Sequence, residues 1–136
     1  MLDRFSPEKR SRIMSRIRSK DTGPEMIVRR YLHSRGLRYR LHCRDLPGSP
    51  DLVMHSRRVV IFVNGCFWHG HEGCSKARLP STRHDFWREK ISNNVSRDKL
   101  IQDSLCKIGW RVIVMWSCGL NKNGLEYLYD SIIYGS

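Results

Sequence analysis

At 136 residues the chain has the length of one domain with a core of its own; it contains no apolar run able to cross a bilayer, and no secretory leader is expected at its start. Its 25 lysines and arginines against 13 acidic residues give a net charge of +12 and a pI near 10.0, which points to an anionic partner, most often nucleic acid. A cytoplasmic protein is expected, monomeric by default, with its five cysteines as thiols or metal ligands rather than disulfides.

Residues 1–20 form a basic arm in which Ser6-Pro7-Glu8 starts a helix. Ile13, Met14 and Ile17 make only a thin apolar face among Arg10, Arg12, Arg16 and Arg18. The segment is open to two readings, a solvated helix or an arm that orders on a phosphate backbone. Residues 21–136 are expected as a single domain. Thr22-Gly23-Pro24-Glu25 reads as a capping box in which Glu25 is a cap, and Gly36 marks the end of the helix it opens. Leu37, Tyr39 and Leu41 alternate with Arg38, Arg40 and His42, the pattern of a strand with one buried face.

A turn-rich segment leads to Asp51-Leu52-Val53-Met54, a strand opened by a carboxylate, and a short turn returns the chain into the apolar run Val59 to Val63. A strand-start Asp facing the end of the next strand suits a Mg²⁺-dependent nuclease, although a plain turn cap has the same local sequence. Asn64-Gly65 is expected to break the strand. The loop beyond it offers Cys66, His69, His71 and Cys74, a soft and borderline donor set suited to structural zinc. A fourth ligand is owed from elsewhere. Cys118 is the best candidate, because it follows the strand Trp110 to Trp116. Between that strand and Val59 to Val63 lies a helical segment, Asp85 to Lys107, so the two strands should be parallel and Cys118 should reach the same sheet edge as Cys66.

Trp87, Ile91, Val95, Ile101 and Leu105 recur at helical spacing along that segment, with a bend expected around residues 92–94. Lys90, Asn94 and Asp98 share its polar stripe. Phe67 and Trp68 are either core of a zinc knuckle or an exposed pair able to wedge into a base stack. A final amphipathic helix carries Leu125, Leu128, Ile132 and Ile133. Cys43 and Cys106 are expected as core thiols.

In their order along the chain, several strings resemble the very short patch repair (Vsr) endonucleases. They are Asp21-Thr22 with Glu25, Leu46-Pro47-Gly48 with Pro50-Asp51, Gly65-Cys66-Phe67-Trp68-His69, Thr82-Arg83 with Phe86-Trp87, Glu89-Lys90-Ile91, Asn94-Val95 with Arg97-Asp98, and Gly109-Trp110-Arg111-Val112. The resemblance implies an α/β restriction-endonuclease-like fold, a central mixed sheet flanked by helices with a structural zinc site. It also implies a nuclease that nicks 5′ of the thymine in T:G mismatches left by deamination of 5-methylcytosine.

Carried onto this chain, the resemblance makes Asp51 and the Val63 carbonyl the Mg²⁺ ligands, with two ions in the centre, and His69 the general acid/base. Glu25 and Asp98 become orienting residues, and Cys66, His71, Cys74 and Cys118 the zinc ligands. Phe67, Trp68, Met14, Arg12, Arg16, Lys90 and Asn94 are placed on DNA. Mismatch-repair proteins and a cytosine-5 methyltransferase system are the implied functional associates.

The departures from the family are specific. Asn64 stands where the family commonly has a second catalytic histidine, and an amide can hydrogen-bond a phosphate but cannot titrate. Val63 replaces a threonine, Gly70 interrupts a His-rich run, and one extra residue separates His71 from Cys74. Two other functions are compatible with the residues: a zinc-stabilised mismatch or DNA-binding module without catalysis, and a sequence-specific nicking endonuclease of the same fold.

Overall fold

The computed structural model describes residues 22–135. The basic arm, with Arg12, Met14 and Arg16, lies outside the described residues. Helix α1 (Gly23–Ser34) is capped by Thr22, whose hydroxyl accepts from the Glu25 amide, and it ends before Gly36 at φ +87°. Four strands follow: β1 (Arg40–Leu41), β2 (Leu52–Met54), β3 (Val59–Asn64) and, after the long helix α2 (His84–Lys107), β4 (Arg111–Trp116). Helix α3 (Lys122–Tyr134) closes the chain, capped by Asn121. Among the described residues no helix is long and apolar enough to cross a membrane.

The sheet order is β1-β2-β3-β4, with antiparallel pairs β1/β2 and β2/β3 and a parallel pair β3/β4. The parallel pair is the one expected from the strand, helix, strand sequence. Its register runs from Val59 opposite Arg111 to Asn64 opposite Trp116, so the loops after β3 and β4 leave from one edge. Alternate residues of β3 serve two cores. Val59 and Ile61 pack with Val28 and Leu32 of α1 and Leu128 and Ile132 of α3, whereas Val60 packs with Leu105 of α2, Val53 and Trp110. Leu32, Leu52, Ile61, Leu105 and Leu128 are fully buried, each contributing about 1.5–3 kcal/mol. Truncating Leu105, which anchors α2, would cost about 2–5 kcal/mol.

Three elements differ from the sequence expectation. The strand from Leu37 shrinks to Arg40–Leu41: Leu37 and Tyr39 still pack on the core, but the Tyr39 hydroxyl reaches back to the Arg29 carbonyl, and His42 at φ +47° turns the chain out of the ladder. In β3 the pairing continues one residue further, because Asn64 still pairs with Trp116. Helix α2 runs through residues 92–94 as one helix of 24 residues. Of the two remaining thiols, Cys43 packs against the second core, but Cys106 is exposed on α2 rather than buried.

Candidate active site and metal centre

The edge where β3 and β4 end, together with the turn before β2, gathers most of the chemistry-bearing residues. Gly48 makes this possible on the turn side. At φ +75° it lies against Ile101 of α2 so closely that a Cβ would collide with the Ile101 side chain, and this seats the 46–50 turn on the helix. The chain then delivers Asp51, whose Oδ2 accepts the Val63 amide at 2.8 Å. A cleft of about 200 Å³ opens here, lined by Asp51, Val63, Asn64, His69, Asp98 and Gln102 among others.

Burial pushes the Asp51 carboxyl up to about 6. The Val63 hydrogen bond opposes that shift, the charge of Glu25 adds to it, and His42 and His69 offset part of it. Glu25 is 2% exposed. Ligand atoms of Glu25, His42 and Asp51 all lie within 4.8 Å of one another. A buried acid, Glu25, facing a half-buried one, Asp51, is an excess of negative charge in a partly dry place, so the oxygen donors fit a hard divalent cation such as Mg²⁺.

On the other side of the cleft, His69 Nδ1 is 2.6 Å from Asp98 Oδ2. One turn earlier on α2, the Asn94 amide donates to the Trp68 carbonyl at 2.9 Å, and Arg97 donates to Asn94 Oδ1. Consecutive turns of the helix therefore hold consecutive residues of the loop. Asn94, expected on DNA, is 5% exposed and committed to this brace, while Lys90 is half-buried on the same stripe. Gly70, which interrupts the histidine run, has φ +58° and sits where a Cβ would come within 2.8–2.9 Å of Val95 and Ile91.

Cys66, His71, Cys74 and Cys118 converge, their ligand atoms within 4.8 Å of one another, so the extra residue before Cys74 is absorbed by the loop. His71 stacks on Trp116 at 4.1 Å, and Ser117, unremarked in the sequence, lies 3.3 Å from both the Cys66 amide and its sulfur. Burial raises the Cys66 thiol, but hydrogen bonds from Ser117, Cys118 and His71 outweigh it and bring it down to about 6. Hydrogen bonding to Cys66 comes first among the causes that push Cys118 up to about 11. Three thiols and an imidazole closing on one point are a four-donor set that fits structural zinc.

Beside this cluster Phe67, Trp68 and Trp87 meet edge to face, with centroids 5.2 to 5.8 Å apart. All three are half-buried, and Phe86 extends the group at 45% exposure with Arg83 over its ring. Helical spacing placed Trp87 on the apolar face of α2. It lies instead in the first turn, where the helix stands beside the 65–74 loop rather than the sheet. His42 was also missed: strand alternation put it on a solvent face, and only its positive φ turns it toward Glu25. A histidine so close to Asp51 in sequence was the available signal.

Residues 2–76 match the family model described as DNA mismatch endonuclease Vsr. The chain is 53% identical over 124 residues to the type II nicking enzyme V.XorIIP of Xanthomonas oryzae, covering 91% of this chain and 90% of that protein. It is 43% identical over 125 residues to the type II nicking enzyme V.NmeAIP of Neisseria meningitidis, covering 92% and 89%. Against the DNA mismatch endonuclease Vsr of Escherichia coli it is 41% identical over 133 residues, covering 98% and 83%.

Proposed function

The chain belongs to the Vsr DNA mismatch endonuclease family and is a DNA endonuclease; from that premise we propose that it nicks duplex DNA 5′ of the thymine in a T:G mismatch, with Mg²⁺ at the cleavage centre and Zn²⁺ in the thiol cluster. The observation that carries the reading is the common cleft of Asp51 and the Asp98-braced His69, one loop away from a half-exposed aromatic group. The mixed sheet, an antiparallel hairpin followed by a parallel strand after α2, supports a restriction-endonuclease-like fold. The bacterial cytoplasm, where the DNA is, is the proposed compartment.

Asp51 and the Val63 carbonyl would hold the cation, which when bound supplies positive charge at the scissile phosphate. His69 has Nδ1 committed to Asp98, so Nε2 is the nitrogen that exchanges a proton with the attacking water or the leaving oxygen. Asp98 fixes the tautomer and the ring plane. Asn64, buried at the end of β3 and lining the cleft, hydrogen-bonds a phosphate oxygen but transfers no proton. Phe67 and Trp68, braced by Trp87 and Asn94, enter the base stack where the mismatch makes unstacking cheaper.

Duplexes differing only in T:G or C:G at one position, incubated with and without Mg²⁺ and sequenced at the nick, test the reading. A single Mg²⁺-dependent nick 5′ of the mismatched thymine is expected. Two similar proteins are named nicking enzymes, which favours fixed-sequence nicking as the second reading. Equal cutting of the C:G duplex would establish that one, and binding without a nick would leave a recognition module.

A further inference from the structure

The chemistry proposed above uses one imidazole, His69, while a second stands at Asp51 without a role. His42 directly follows β1. Its amide donates to the Asp51 carbonyl at 3.1 Å, and its φ of +47° holds it in the left-handed region that side-chain-bearing residues seldom adopt. That backbone turns the ring inward: Nε2 lies 3.0 and 2.9 Å from the two oxygens of the Glu25 carboxylate. Glu25 is buried and is also met by Arg29 at 3.3 Å, one turn along α1.

A glutamate has three side-chain torsions, and one placed near a like charge would turn away unless something held it. A single ring nitrogen centred on both oxygens does so, since it fixes the direction of the carboxylate as well as its position. The tie also joins elements distant in sequence, α1 through Glu25 and the β1–β2 connection through His42, so the spacing of Glu25 and Asp51 depends on it. With an amide at position 64, His42 is the imidazole whose ligand atom lies within 4.8 Å of both Glu25 and Asp51.

We propose that His42 is a positioning residue of the cleavage centre: acting through Glu25, it holds the second carboxylate against Asp51 and so sets how firmly the divalent cation and its water are held. This rests on the divalent-metal reading given above. Nε2 faces the Glu25 carboxylate rather than Asp51 in the hydrogen bonds it makes, and the glutamine variant below separates this role from direct ligation.

The test is Mn²⁺ binding to the zinc-loaded full-length protein without DNA, read from the loss of the free-ion electron paramagnetic resonance signal. The proteins are wild type, His42→Gln and His42→Asn, with melting curves alongside. Asparagine tolerates the positive φ but is too short to reach Glu25, whereas glutamine keeps a donor at about the right length. His42→Asn should weaken Mn²⁺ binding about 10–100-fold and lower kcat for nicking by a similar factor, with KM for DNA unchanged. His42→Gln should stay within about threefold of wild type in both.

Wild-type binding in His42→Asn overturns the proposal. So does His42→Gln as impaired as His42→Asn, since glutamine can donate to the carboxylate but cannot act as an imidazole ligand. Absence of Mn²⁺ binding in the wild type also overturns it. If the wild type binds Mn²⁺ but leaves T:G duplexes uncut, the mismatch reading fails and the binding series still decides the role of His42.

Discussion

Asp98 Oδ2 lies 2.6 Å from Nδ1 of His69, and each side chain is only about a quarter exposed, at 23% and 27%. The pair links α2 to the loop after β3 and decides which imidazole nitrogen is available to a substrate. Asp98→Ala should therefore lower kcat for nicking about 10–100-fold while leaving the KM for DNA nearly unchanged. Asp98→Asn, which keeps an acceptor but not the charge, should fall between. Single-turnover nicking over a range of enzyme concentrations gives the saturating rate and the half-saturation point of each variant, and a wild-type rate in Asp98→Ala would remove Asp98 from the chemistry.

Asp51 carries a stability penalty with a defined pH window. Its carboxyl sits near 6 in the fold against an ordinary value of 3.8, chiefly through burial, so keeping it ionised opposes folding above pH 6. The penalty lifts as the pH falls through 6 toward 3.8, where the folded form takes up the proton first. Asp51→Asn should thus abolish Mg²⁺-dependent nicking yet stabilise the metal-free protein by about 1–3 kcal/mol at pH 7.5. The advantage should fade by pH 4. Added Mg²⁺ should raise the Tm of wild type only. Denaturant melts at several pH values give the answer.

Zinc removal should act on the fold before it acts on chemistry. Extraction with a thiol-selective chelator, with Mg²⁺ then restored, should release one zinc per chain and lower Tm by about 10 °C or more. Cys118→Ser should reproduce the loss, because Cys118 comes from the far side of the crossover and ties the loop after β4 to the loop after β3. Retention of zinc and of Tm in Cys118→Ser would show that the other three donors suffice.

The aromatic group predicts a separation between discrimination and stability. Trp68→Ala should reduce the preference for T:G over C:G duplex by about 5–100-fold, the range of one lost stacking contact, with a smaller loss of Tm than a core truncation because the ring is only half-buried. Asn94→Ala should reduce both, since it frees the Trp68 carbonyl and also empties a buried polar position, at about 1–2 kcal/mol. Competition binding and melting curves check the two variants together. Unchanged discrimination in Trp68→Ala would take the ring out of recognition.

Hydrophobic pattern and turn chemistry determined much of this protein without tertiary information. The apolar runs at Val59 to Val63 and Trp110 to Trp116, separated by a helix-length segment, specified a parallel pair, and parallel pairing alone brought Cys118 to Cys66. The donor types at Cys66, His71 and Cys74 pointed to a candidate soft metal site because ligand chemistry is local to the side chain. What only the tertiary structure decided were directions. His42 faces Glu25 because one backbone φ is positive, Trp87 joins Phe67 because the first turn of α2 projects past the sheet, and Asn94 is a brace because a loop carbonyl lies over its turn. Periodicity tells which residues share a face of an element, but what stands opposite that face is set by how the elements dock, and docking is a property of the whole chain.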